Sequence, residues 1–258
     1  GSESPRLAAL NWGELDLDHV DLSDLEGDFS LEEIKRAIDD IPADKAPGPD
    51  GFSGGYFKSC WEIIKTDLLA AVNQLYHMDS RGLNCINTAI LVLLPKKQGA
   101  DSLKDFRPIS LLHSLIKILT KILASRLAPK LASLVDQCQS AFIKKRSIQE
   151  NFLYIQSTIR KLHKAKQPAF LLKLDIAKAF DSLSWPYVLD MLEARGFGAR
   201  WREWIAMLLR TSTSRVIING QLTEAIQHRQ GLRQGGSLSP FLFILAMDPL
   251  QRMFSLAT

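Results

Sequence analysis

The apolar residues of this chain change period repeatedly along its length, and that alternation narrows the fold more than any other feature. Ile34, Ala37, Ile38 and Ile41 recur at helical spacing behind Ser30 and Glu33, which form a capping box. Pro42 ends that helix, and Lys45-Ala46-Pro47-Gly48-Pro49-Asp50-Gly51 admits neither helix nor strand. Helical period returns from Tyr56 to about Tyr76. Thr88 to Leu94 reads as a buried strand ending at Pro95, followed by a polar loop to Arg107-Pro108. A long amphipathic helix is predicted over about Leu111 to Leu131, with Lys117, Lys121 and Arg126 on its polar side. Another spans Ile148 to His163, and Phe170 to Leu174 reads as a short strand delivering Asp175 at its end. Helical stretches follow around Trp185–Glu193 and Arg200–Leu209. Asn219-Gly220, after alternating β-formers from Arg215, predicts a hairpin whose return strand reaches about Arg229. A glycine-rich turn, Gln230 to Gly236, leads into a strongly apolar last helix, Leu238 to Phe254. Helices with scattered strands, rather than a regular βαβ series, specify an α+β fold.

With 46% hydrophobic and 23% charged residues in 258, the chain can bury a substantial core. Its net charge of +4 permits a polyanionic partner without requiring one. Acids crowd the first part (Glu14, Asp16, Asp18, Asp21, Asp24, Glu26, Asp28, Glu32, Glu33), so most of the positive excess lies beyond them. Cys60, Cys85 and Cys138 are odd in number and widely spaced, which argues against a disulfide framework or zinc site and for buried thiols in a reducing compartment. No apolar run reaches membrane-spanning length and no signal pattern opens the chain. The expected location is intracellular, in the cytoplasm or nucleus, with no membrane partner.

The chemistry centres on Lys173-Leu174-Asp175-Ile176-Ala177-Lys178-Ala179-Phe180-Asp181. A carboxylate at the end of an apolar strand can hold a hard divalent cation; on its own it is more often a helix cap or turn residue. Other segments change its weight: Asp44 to Phe52, Asp105-Phe106-Arg107-Pro108-Ile109-Ser110-Leu111, Gln139-Ser140-Ala141-Phe142, Val216-Ile217-Ile218-Asn219-Gly220, and Gln230-Gly231-Leu232-Arg233-Gln234-Gly235-Gly236-Ser237-Leu238-Ser239-Pro240. In this order, from about residue 30 to the end, the chain resembles the reverse transcriptases of LINE-type (non-LTR) retrotransposons, particularly those of plants.

The resemblance implies the fingers and partial palm of a right-hand polymerase, with residues 1–28 a flexible acidic arm, 29–168 the fingers with N-terminal extension helices and 169–258 the partial palm. It makes Asp175 the first catalytic, metal-binding carboxylate and the Ile176 carbonyl a further ligand. Phe180 becomes the ring that rejects a 2′-hydroxyl, a role compatible with plain core packing. Gln234 and Gly235 line the nucleotide pocket, where glycine permits close backbone approach. Arg107 meets the triphosphate or the template backbone. Lys96 and Lys97, together with Lys117 and Lys121, are candidate nucleic-acid contacts, although solvated lysines read equally well at the first pair. Asp181 matches the family but can equally cap the helix after Ser184.

The departures from the family pattern are Gly236-Ser237 in place of Asp-Pro, Lys145 in place of a glycine before Arg146, and Glu150 in place of an aspartate. The family's Ala-Asp-Asp hairpin and thumb are not found in these 258 residues. Two-metal phosphoryl transfer needs carboxylates for both ions, so Mg2+ or Mn2+, the family's cofactor, is expected to be poorly held and primer extension absent. RNA or DNA is the expected partner, bound weakly and salt-dependently. A second copy or a protein is expected on the open edge of the Phe170–Leu174 strand and on apolar surface of the last helix (Phe241, Leu242, Ile244, Leu245). The alternative function is a domesticated binding protein without catalysis.

Overall fold

The computed structural model describes residues 10–18, 20–77, 82–218 and 220–256. Helix α1 (Leu31–Asp39) begins with the expected capping box: the Glu33 amide donates to Ser30 Oγ at 3.2 Å and the Ser30 amide to Glu33 Oε2 at 3.3 Å. Helical period from Tyr56 is split at Cys60 into α2 (Gly54–Ser59) and α3 (Trp61–Tyr76), and a short turn of helix, α4 (Leu83–Ile86), precedes the sheet.

Strand β1 (Thr88–Pro95) pairs antiparallel with β2 (Phe106–Leu112), from Ala89 opposite Leu112 to Pro95 opposite Phe106. The sequence reads a polar loop up to Arg107-Pro108 and a helix from about Leu111, and Pro108 cannot donate to a ladder. Here β2 is an edge strand, where a proline is tolerated. β1 is also less buried than its composition implies: Ala89 is fully buried, but Leu93 and Leu94 at the far end are exposed.

The long α5 (Ser114–Leu134) runs through the core. Ile116, Ile118, Leu119, Ile122, Leu123, Leu127, Leu131 and Leu134 are all buried, so its apolar surface is far wider than a single stripe. After α6 (Ile148–Lys164) come α7 (Trp185–Ala194) and α8 (Ala199–Arg210), close to their expected bounds. β3 (Thr213–Ile218) then lies parallel to β1, Thr88 opposite Thr213, and folds back as β4 (Gln221–Leu222) and β5 (Ile226–Gln227). The turn closes as the Asn-Gly pair predicts, with Ile218 opposite Gln221 and Gly220 at φ 80°; Asn219 lies outside the described residues. The last helix, α9 (Ser239–Leu256), packs against α5 and α7.

Three expectations are corrected. Residues 170–174 form no strand: among the described residues nothing pairs with them, and Phe170, Leu171, Leu172 and Leu174 are exposed. A short apolar segment gains ladder hydrogen bonds only from a neighbour, so the open strand edge expected there does not exist. Second, the α9 residues expected on an apolar surface are largely covered. Leu242, Ile244 and Leu245 are buried, and Phe241 is half-buried. Third, the thiols are not buried, since Cys85 and Cys138 are exposed and Cys60 is half-buried.

The acidic arm is docked rather than loose over its described residues. Leu15, Leu17, Leu22 and Leu25 are buried, and Trp12 stacks on Tyr187 with ring centroids 5.7 Å apart. Arg126 fastens its middle: Nη1 donates to the carbonyls of Leu25 and Gly27, Nη2 to that of Asp28, and Nε and Nη2 each to Glu33 at 2.8 Å. Lys130 pairs with Asp24 at 3.0 Å. Glu26 accepts the Trp201 amide at 2.7 Å, capping α8 from outside. Arg252 on α9 holds Asp18 and the Asp16 carbonyl. Asp24 and Asp18 of the arm are therefore counter-charges for α5 and α9.

Candidate functional site

The turn 230–236 meets two of the segments implicated by the sequence, the one carrying Phe180 and the strand carrying Arg107. Gly231, at φ 81°, lies so close to the 178–183 turn that a Cβ there would stand 2.6 Å from the Asp181 carbonyl oxygen. The Gly231 amide donates to the Leu183 carbonyl and the Leu232 amide to that of Phe180, each at 2.7 Å. On the other side, the Ser110 amide in β2 donates to the Gln234 carbonyl at 3.0 Å. Gly235, at φ 107°, faces the Ser110 carbonyl, 3.1 Å from where a Cβ would be. The turn thus joins the segment after Asp175 to the strand bearing Arg107.

Phe180 is half-buried and stacks on Phe243 of α9, centroids 4.5 Å apart and planes 17° from parallel. Its ring is held by packing, whatever else it meets. Arg107 is exposed near the start of β2, opposite Leu94, and its side chain makes no hydrogen bond or ion pair among the described residues. Asp175 and Ile176 are both exposed. Asp181 does not cap α7, whose N-terminal residue Ser184 has no side-chain cap bond near it.

The four lysines have protein partners. Lys96 donates to the Lys104 carbonyl at 2.7 Å, and Lys97 pairs with Asp105 at 2.9 Å. Lys117 donates to the Ala46 carbonyl at 3.1 Å, and Lys121 pairs with Asp40 at 3.0 Å. Burial pulls the Lys117 ammonium below its usual pKa, Asp50 opposes that shift and Lys45 adds to it. Beside Lys117 and Lys121 a cleft of about 610 Å³ opens between the 45–54 loop and the β2–α5 junction, reaching Gly235 and Ser237.

The loop has a structural task of its own. Asp50 Oδ2 accepts the Ser114 amide at 2.6 Å, capping α5 across 64 positions, and Ser114 Oγ donates to the Phe52 carbonyl at 3.0 Å. Lys145 sits at φ 70°. A left-handed backbone explains why glycine suits that position in the family the sequence resembles.

His228 gives a pH test of the site's frame. Its Nε2 lies 2.7 Å from Ser214 Oγ. Burial and Arg233 depress its pKa below 6.5, while Asp181 opposes them. Its contribution to stability is therefore complete above the unfolded value and is lost as pH falls through the folded one. The urea midpoint is expected to drop between about pH 7.5 and 5.5, and His228→Gln is expected to flatten that decline. An equal decline in the variant would exclude His228 as its source.

Among the described residues, no three His, Cys, Asp or Glu side chains gather where they could share a metal ion. Asp175 with one backbone carbonyl is too small a donor set for the ion pair of phosphoryl transfer. Nothing in the sequence marks Asn87 or Arg233, which hold the turn from within; Arg233 is visible only as one letter of a longer motif.

Comparison with known proteins places these segments in context. The family model described as "Reverse transcriptase (RNA-dependent DNA polymerase)" matches residues 94–258. The chain is 31% identical over 225 residues to the "Transposon TX1 uncharacterized 149 kDa protein" of Xenopus laevis, covering 87% of this chain and 17% of that one. It is 30% identical over 237 residues to the "Retrovirus-related Pol polyprotein from type-2 retrotransposable element R2DM" of Drosophila melanogaster, covering 88% and 22%. It thus spans about a fifth of these relatives' length. Among solved structures, a chain of the "Partial Cas6-RT-Cas1--Cas2 complex" aligns with 91% of this chain and 35% of its own, at 18% identity and a TM-score of 0.49.

Proposed function

This chain belongs to the reverse transcriptase (RNA-dependent DNA polymerase) family, and we propose that it serves as the fingers and front palm of the RNA-directed DNA polymerase of a non-LTR retrotransposable element. The observation that carries this reading is the turn 230–236, bonded on one side to the Phe180 segment and on the other to β2, the strand of Arg107. That arrangement suits a deoxynucleotide. Arg107 is free to meet its phosphates, the Gln234–Gly235 backbone can approach closely, and Phe180, fixed by Phe243, can exclude a 2′-hydroxyl. RNA or DNA is the proposed partner, held by Arg107 and by those of Lys96, Lys97, Lys117 and Lys121 that exchange an internal partner for a phosphate.

Mg2+ or Mn2+ would supply charge neutralisation at the reacting phosphate; Asp175 and the Ile176 carbonyl would be its ligands, one carboxylate where two-metal transfer uses several. We therefore propose that this chain alone grips substrate without extending it. A primer–template titration with parallel extension assays tests both halves. Binding is expected to weaken steeply with salt, as counterion release requires, and Arg107→Ala is expected to weaken it further. Extension in Mg2+ or Mn2+ is expected to be absent. Incorporation abolished by Asp175→Ala would overturn the claim of incompleteness, and salt-independent or absent binding would overturn the nucleic-acid role. Binding that Arg107→Ala leaves unchanged would favour a domesticated binding module using another face.

A further inference from the structure

The turn 230–236 faces two ways. Its backbone is bonded outward to Phe180, Leu183 and Ser110, whereas the Arg233 side chain between those bonds runs inward. Nη1 donates to Asn87 Oδ1 at 2.8 Å and Nη2 to the Asn87 carbonyl at 2.6 Å. Asn87 is itself immobilised: it is 1% exposed, and its Nδ2 donates at 2.8 Å both to the Leu208 carbonyl and to Thr211 Oγ1. Its carbonyl also accepts the Thr213 amide at 3.1 Å. Asn87 therefore ties the start of β1 to the end of α8 and the start of β3, and Arg233 couples the turn to that junction through a planar two-point contact. A guanidinium makes the two bonds from two nitrogens fixed in one plane, an orientation that lysine's single nitrogen does not impose.

The Arg233 guanidinium has no carboxylate partner among the described residues, and its Nε lacks any hydrogen-bond acceptor. Burial lowers its pKa to about 10, which leaves it charged at neutral pH. Carrying a charge inward to neutral acceptors is costly, and a mere space-filling role is served more cheaply by a methionine. What the arginine adds is a fixed orientation for the residue that follows it, and sub-ångström placement is what a substrate-facing backbone needs.

We propose that Arg233 is the positioning residue of the nucleotide-facing turn, locking Gln234 and Gly235 to the Asn87 junction. This rests on the nucleotide-pocket reading above. The test compares wild type with Arg233→Met and Arg233→Lys, using amide hydrogen exchange and titration with a fluorescently labelled dATP. In Arg233→Met the Leu232 and Ser110 amides, bonded across the turn, are expected to exchange faster while those in the middle of α5 do not. Affinity for the labelled dATP is expected to fall about tenfold, the equivalent of one lost charge-assisted hydrogen bond. Arg233→Lys, which keeps the charge but not the planar fork, is expected to be intermediate in both and to remain folded if the methionine variant does not. Uniform acceleration across α5 and the turn would mark a general structural role and overturn the proposal, as would unchanged exchange at Leu232 and Ser110. If wild type does not bind the labelled dATP, the nucleotide-pocket reading fails, and the exchange comparison alone decides whether Arg233 fixes the turn.

Discussion

Replacing Asp248 with alanine is expected to cost about 3–5 kcal/mol, the range for stranding one member of a buried ion pair. Asp248 and Arg195 are both fully buried at the side chain, with Arg195 Nη2 donating to Asp248 Oδ2 at 2.5 Å. The same carboxylate accepts the Asp136 amide at 2.6 Å and Arg252 Nε at 2.8 Å, while Arg195 Nη1 reaches the Leu134 carbonyl. Burial alone would raise the Asp248 pKa, but the Asp136 amide, Arg252 and Arg195 outweigh it and hold the group below its ordinary value. Its contribution is therefore present above the usual carboxylate range and lost as pH falls through the depressed value. Urea denaturation gives the stability loss. A double substitution, Arg195→Met with Asp248→Leu, is expected to cost less than Asp248→Ala alone, because no unpaired charge then stays inside. A single-substitution loss below about 1 kcal/mol, the value of an exposed pair, would mean that the cluster opens to water.

Gly48→Ala is expected to destabilise the chain by about 2–4 kcal/mol, combining overpacking with a lost helix cap. A Cβ at Gly48 would lie 1.9 Å from the Leu112 carbonyl oxygen and 2.4 Å from its carbon. These are backbone atoms at the end of β2, which cannot swing aside as a side chain can. The loop must lift instead, drawing Asp50 from the Ser114 amide and the Ala46 carbonyl from Lys117. Asp50→Ala removes the cap without the clash, so its loss is expected to be the smaller of the two. Equal losses in urea titrations would show that the loop yields freely at Gly48.

Features set by neighbouring residues were the legible ones. The Ser30–Glu33 box, the Asn219-Gly220 hairpin and helices α7 and α8 each depend on side chains within a few positions of one another. β2 was obscured by Pro108, whose missing amide hydrogen is harmless only at a sheet edge, and edge position is a tertiary fact. The segment 170–174 has every local mark of a strand yet finds no partner among the described residues. The internal partners of the lysines are illegible for a related reason. Their acceptors at Asp40, Ala46, Lys104 and Asp105 lie on other turns and loops. The arm hid its attachment because the turns carrying Leu15 and Leu25 meet different elements, α9 for the first and α5 with α8 for the second, so no single period records them. At the candidate site, the motif residues were readable as a set, whereas Asn87 became significant only once Arg233 was seen to point inward.

The bonds from Arg252 to Asp18 and Asp16 join residues 234 and 236 positions apart. During synthesis the ribosome releases the two aspartates long before their arginine exists. Contacts this distant carry a large loop-closure entropy and tend to form slowly. Until then Leu15 and Leu17 have no α9 to pack beside, and they remain open to chaperones and proteases. Residues 10–18 are thus expected to be among the last of the described parts to settle.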